Sequence, residues 1–211
     1  MPNTRGVMDI INTAMQTDLF SKGGFQQSKW NTLAYVIPTA ENDPEKKSVF
    51  HKAGDDIRSY RPVLTLSDGE CIDLSLDDQY SMQVFHIQEK NGFDFAEDLE
   101  DDFGSPGTII SEIDTFQMIF LGNTQRLNNV REDIISAAMV DFPKELDPGQ
   151  LIPLGLSSCV FDQVKVNDDE EEIFSLLWKG HDFPYIPNQF IFSISYKMKM
   201  TFAKKCFTLC S

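Results

Sequence analysis

The amino-acid sequence predicts an α+β fold: a mainly antiparallel β-sheet with an N-terminal helix and a second helix packed on one face, plus hairpin and acidic-loop insertions. Three observations lead there. In "NQFIFSISYKMKMTF", Phe190, Phe192, Ile194, Tyr196, Met198, Met200 and Phe202 occupy alternate positions, the period of a strand with one buried face. In residues 4–20, Val7, Ile10, Ile11, Ala14 and Leu19 fall near helical spacing, as an amphipathic helix requires. The stretch "DTFQMIFLGNTQRLNNVREDIISAAMVDFP" reads as a strand that runs through a polar turn into a helix.

Taken in chain order, the first helix has Asn3 or Thr4 as its cap and "SKGG" (21–24) as its stop. "NTLAYVIP" (31–38) is β-rich and ends at Pro38, and the polar, turn-rich segment 39–60 is expected as a long exposed loop. Residues 61–76 predict a hairpin, because Asp68-Gly69 tolerates the positive φ values of a tight turn between Leu64, Leu66 and Ile72, Leu74. Residues 80–95 predict the start of another, with Asn91-Gly92 at its turn. Asp94, Glu97, Asp98, Glu100, Asp101 and Asp102 then crowd one segment, and their mutual repulsion predicts an extended loop over 94–108. Phe116, Met118 and Phe120 alternate with Thr115, Gln117 and Ile119 as a half-buried strand. A helix over 127–142 follows, with Asn129 and Glu132 at capping-box spacing. Val130, Ile134, Ala137 and Ala138 form its apolar face, and Pro143 ends it. A Pro- and Gly-containing connector leads to "SCVFDQVKVNDDEEEIFSLLWKG", where a strand is expected on each side of an exposed acidic loop, 166–173. The length of 211 residues suits one domain, 1–211.

The 33 acidic against 18 basic residues leave a formal charge of −15. Such a surface repels nucleic acid and anionic membrane at long range, so neither sequence-specific nucleic-acid binding nor a membrane partner is expected. No apolar run reaches the roughly 18 to 20 residues that span a bilayer. The N-terminus lacks a basic region followed by an apolar core, so a cytosol-like compartment is expected, with Cys71, Cys159, Cys206 and Cys210 as reduced thiols. Cys206 and Cys210 stand four apart, which suits neither a zinc knuckle nor a redox pair.

Candidate chemistry is sparse. His51, His86 and His181 lie far apart and in no metal-ligand spacing, and they are expected as exposed loop or strand residues. No nucleophile elbow or glycine-rich phosphate loop occurs. Neither acidic cluster has the spacing of a calcium loop. The expectation is therefore no catalytic residue, no cofactor and no metal. Lys197 and Lys199, followed by "AKK" (203–205), are the one basic concentration. They fit the protection of an edge strand, a face that meets the acidic loops of a neighbouring subunit, or a nucleic-acid patch that would need more basic and aromatic residues. Trp178 and Tyr185 sit in an aromatic segment with two prolines, suited to core or interface anchoring. The candidate subunit interface is Arg126 and Asn123 in the polar turn, with Lys197, Lys199, Trp178 and Tyr185.

The order of elements resembles the tail-terminator and tail-completion proteins of tailed bacteriophages and the ring proteins of the head–tail neck. The resemblance rests on residues 114–143 and on "NQFIFSISYKMKMTF", about a third of the chain. It implies a non-enzymatic virion protein, present in the host cytoplasm during assembly. Its partners would be copies of itself in a homo-oligomeric ring and neighbouring neck, portal or tail proteins, with acidic loops lining a lumen through which DNA slides. The alternative is a small acidic cytosolic protein of the immunity or antitoxin type that binds a basic partner.

Overall fold

The strictly alternating last apolar segment pairs with a neighbour strand of equal length. The computed structural model describes residues 4–23, 27–38, 60–65, 71–74, 79–89, 94–96, 109–127, 130–178 and 188–203. Its elements are α1 (Thr4–Gly23), β1 (Lys29–Pro38), β2 (Tyr60–Thr65), β3 (Cys71–Asp73), β4 (Met82–Gln88), β5 (Asp94–Ala96) and β6 (Ile109–Asn123). They continue as α2 (Arg131–Asp141), α3 (Pro148–Leu151) with a 3-10 turn at Ile152–Leu154, β7 (Leu156–Asn167), α4 (Glu170–Leu177) and β8 (Gln189–Ala203). The fold is α+β. The eight described strands form one sheet in the order β3-β2-β1-β4-β6-β8-β7, with β5 alongside β6. Only β1 and β4 pair in parallel; every other pairing is antiparallel.

β6 and β8 pair along their whole length, from Ile109 opposite Ala203 to Asn123 opposite Gln189. Even-numbered residues of both point to a first face. There Phe116, Met118, Phe120, Phe190, Phe192, Ile194, Tyr196, Met198 and Met200 are buried beneath Val7, Met8, Ile11 and Met15 of α1 and Ile134 and Ala138 of α2. Phe120 stacks on Phe192 at 4.4 Å between ring centroids, an offset-type contact that adds to area burial. Gly122 makes room for this packing: a Cβ at that position would lie 2.3 Å from Cζ of Phe190.

Among the described residues, the second face is covered at one end. Phe85, Ile87, Ile119, Leu121 and Ile191 pack there against Ile173, Phe174, Leu177 and Trp178 of the α4 region. Ile119, expected among the polar positions of its strand, therefore belongs to a core. The predicted second strand after "NDDEEE" is a helix. Asp169 caps it by accepting from the Glu172 amide, and Glu170, Glu171 and Glu172 fill its first turn. Carboxylates are favourable there because they face the positive end of the helix dipole. The acidic stretch expected as a loop is thus largely a helix start.

Other expectations also shift. β4 and β5 do not pair as a hairpin; both lie antiparallel to β6, end to end, with Gln88 opposite Phe116 and Asp94 opposite Ile113. A partner as long as β6 can accommodate two short strands in file. The N-cap of α2 is Val130, without a side-chain hydrogen bond, rather than Asn129, and Val130 is 60% exposed instead of joining the apolar face. β8 lies between β6 and β7, so its lysines do not guard an edge. Among the described strands the edge on that side is β7, and its own devices protect it. A bulge between Asp162 and Lys165 places Gln163 at φ 52, and residues 144–146 bond to its outer side through Leu146 N–H to Cys159 O and Phe161 N–H to Lys144 O. The hairpin of β2 and β3 pairs as expected, Thr65 opposite Cys71. Its Asp68-Gly69 turn, the Asn91-Gly92 turn, the loop 39–59 and the acidic segment 97–108 lie outside the described residues.

Candidate functional site

A polar chain crosses the first core where the sequence suggested only apolar packing. His86 lies on β4 opposite Met118 and is completely buried. Its Nε2 stands 2.9 Å from Asn12 Oδ1, and its Nδ1 stands 2.9 Å from the Tyr196 hydroxyl. Asn12 also donates through Nδ2 to the Asn31 carbonyl at 3.0 Å, and Asn31 Nδ2 donates to the Val84 carbonyl at 3.1 Å. These partners assign the tautomer. Asn12 Oδ1 can only accept, so His86 Nε2 carries the proton, and Tyr196 O–H donates to Nδ1. Burial pushes the His86 imidazole down to about 3 and raises the Tyr196 phenol well above its usual range. Both groups are therefore neutral at physiological pH. The arrangement links α1, β1, β4 and β8 and is sealed from solvent, so it orders the core and presents nothing to a substrate.

Two carboxylates continue this first face along β6. Asp114, opposite Met198, accepts from the Thr115 amide at 2.8 Å and from Gln88 Nε2. Glu112, opposite Met200, is equally buried. Burial, then the nearby Asp114 charge, raises the Glu112 carboxyl above its ordinary range. Cys159, the next residue in that row, is a free, buried thiol, and burial pushes it up to about 12. A thiol so high is a poor nucleophile. Among the described residues no group of three His, Cys, Asp or Glu side chains could hold a metal ion. No described helix is long and apolar enough to cross a membrane.

The surface is more distinctive than the interior. Arg131 at the start of α2 donates to the Asp168 carbonyl and lies 3.5 Å from the Glu170 carboxylate. It thereby holds the N-terminal ends of α2 and α4 together. Glu132, Asp133, Asp168, Asp169, Glu171 and Glu172 are all exposed around it, an acidic pole assembled from two segments far apart in sequence. On the second face beyond α4, Lys197 and Lys199 of β8 are half-exposed, and Lys165 of the adjacent β7, opposite Ser195, is exposed.

The predicted interface residues do not gather in one place. Arg126 is exposed in the turn after β6, where its Nη1 donates to Gln27 Oε1 at 3.4 Å. Asn123 is buried and organises that turn: its Oδ1 accepts from the Gln125 amide and its carbonyl accepts from the amides of Arg126 and Leu127. Trp178 is buried against Phe174 with ring centroids 4.9 Å apart. Asn123 and Trp178 therefore serve the chain's own packing. Tyr185, His51 and His181 lie outside the described residues. His86, expected to be exposed, is fully buried in the core, and two signals pointed to it. Apolar residues occupy both parities of "MQVFHI", and Asn12 interrupts the apolar stripe of α1 between Met8, Ile11 and Met15. Comparison with protein-family models and with curated proteins finds no match to this chain.

Proposed function

We propose that the chain is a non-enzymatic structural protein of a virion, forming or joining a ring at the head–tail neck or tail terminus of a tailed bacteriophage. The observation that carries this reading is architectural. α1 and α2 pack on one face of a mainly antiparallel sheet that contains the long β6–β8 pair, the arrangement expected from the resemblance in residues 114–143 and 188–202. The placement of the reactive side chains among the described residues also supports it. His86, Cys159 and Tyr196 are spent on core packing, and burial keeps each of them neutral. A second reading, a small acidic protein that neutralises a basic partner, draws support from the acidic pole at the starts of α2 and α4.

Mass by light scattering, with negative-stain imaging, separates the two. The purified chain, alone or with neighbouring neck or tail proteins, is expected to form ring-shaped multimers. A strict monomer that joins no ring under either condition overturns the first reading, and a one-to-one complex with a basic protein supports the second. Arg126→Ala is expected to leave thermal unfolding unchanged and to reduce assembly. Normal assembly of that variant removes the turn after β6 from the interface.

A further inference from the structure

We infer that the part of the second sheet face beyond α4 is where a second copy of this chain docks, through the acidic pole formed jointly by the N-terminal ends of α2 and α4. The inference rests on the ring reading and names its contact. A chain with a formal charge of −15 repels its own copies at long range, so self-association needs a place where the local sign is reversed. Lys165, Lys197 and Lys199 supply one. They sit on neighbouring strands and on the same face, set by the register Lys165–Ser195, Asp162–Lys197 and Val160–Lys199. Asp162 is the acidic residue that faces them from those two strands, and Val160 adds an exposed apolar position among them. Lys199 is also engaged within its own chain, so the strip's charge toward a partner rests chiefly on Lys165 and Lys197.

The complementary surface is the pole around Arg131. Its carboxylates are exposed and outnumber the one cation at their centre. Both surfaces belong to rigid elements, since the pole is fixed by the Arg131 bridge and the strip by the pairing of β7 with β8. The strip runs away from the pole along β7 and β8. The pole begins just past Asn167, which lies opposite Ser193, and from there Lys165 stands roughly 7 Å along the strands, Lys197 roughly 13 Å and Lys199 roughly 20 Å, at the rise of an extended strand. Two distinct patches that complement each other make a heterologous contact, the kind that closes into a ring when the rotation permits.

Charge reversal on each surface tests this with the full-length chain. One variant carries Lys165→Glu and Lys197→Glu. The other carries Glu132→Lys, Asp168→Lys and Glu171→Lys, sparing Asp169 and Glu172, which cap α4, and Glu170, which pairs with Arg131. Each is read by sedimentation velocity after circular dichroism has established that it is folded. Each alone is expected to lose at least tenfold in self-association, and an equimolar mixture is expected to recover it, because each variant then meets the opposite sign. Lys165→Gln with Lys197→Gln, which removes charge without reversing it, is expected to weaken association as well. Variants that assemble alone like the natural chain, or a mixture that stays dissociated, overturn the docking inference and leave the ring reading standing. A natural chain that never associates overturns the ring reading itself.

Discussion

At His86 one buried imidazole governs how the protein responds to acid. Burial holds it down to about 3, against an ordinary value of 6.5. A base whose folded value is depressed disfavours the folded state once the unfolded chain can take up the proton. The stability it permits is full above about pH 6.5 and falls as pH drops toward about 3. One such proton changes stability by about 1.4 kcal/mol per pH unit. Glu112 acts in the opposite sense: its raised carboxyl favours the folded state at low pH, and that contribution is lost as pH rises through the raised value. A variant isolates the imidazole. His86→Gln can still donate to Asn12 and accept from Tyr196 but has no proton to gain, so its urea midpoint between pH 7 and pH 5 is expected to fall less than that of the natural chain. Equal falls would mean that His86 is not the responsible group. The histidine's type was plain in the sequence. Its depth was not, because covering β4 on the first face required Asn12, Leu33 and Tyr196, from three other elements.

At the scale of elements, the helices differ in how well their ends are made. α4 begins with Asp169 bonded to the Glu172 amide, while Asn167 Nδ2 donates to the Glu172 carboxylate. α2 begins at Val130, extended at φ −72 and ψ 154, whose side chain makes no cap hydrogen bond. Val130→Ser keeps that backbone and supplies an acceptor, so it is expected to stabilise the protein by about 0.5 to 1 kcal/mol in urea denaturation. A destabilised variant would show that the Val130 side chain packs more than its exposure suggests. The α4 start was legible, since Asp169 and Glu172 have capping-box spacing ahead of Ile173, Phe174 and Leu177. The run of like charges obscured it, because the same residues also read as a solvated loop. The strand-to-helix passage at 109–141 was legible as well. Its cap was not, since Asn129 and Val130 differ by one position.

For the whole molecule, stability should be graded outward from the β6–β8 pair. That pair is flanked by β4 and β7 and covered by α1 and α2 on one face and, at one end, by α4 on the other. Amides that open only on global unfolding belong to strands buried in this way. Hydrogen exchange is expected to be slowest at Phe116–Phe120 and Phe192–Tyr196 and markedly faster in β3 and β5, which are three residues each. Comparable protection in β3 and β8 would contradict this gradient. The same gradient bears on assembly: the acidic pole lies at the starts of α2 and α4 and the lysine strip on the paired strands β7 and β8, so docking there need not first order a loop.

The sequence by itself determined the α+β class, the first helix, the long alternating strands and the strongly acidic balance. Those features are local periodicities or sums over residues, and they need no knowledge of neighbours. Only the tertiary structure decided that β8 lies inside the sheet with β7 at the edge beside it, that Ile119 and Trp178 belong to a second core, and that His86 lies inside a hydrogen-bonded chain. It alone placed the acids of α2 and α4 side by side around Arg131. Each of these depends on which distant segments meet, and a single strand's period says which residues are buried without saying what buries them.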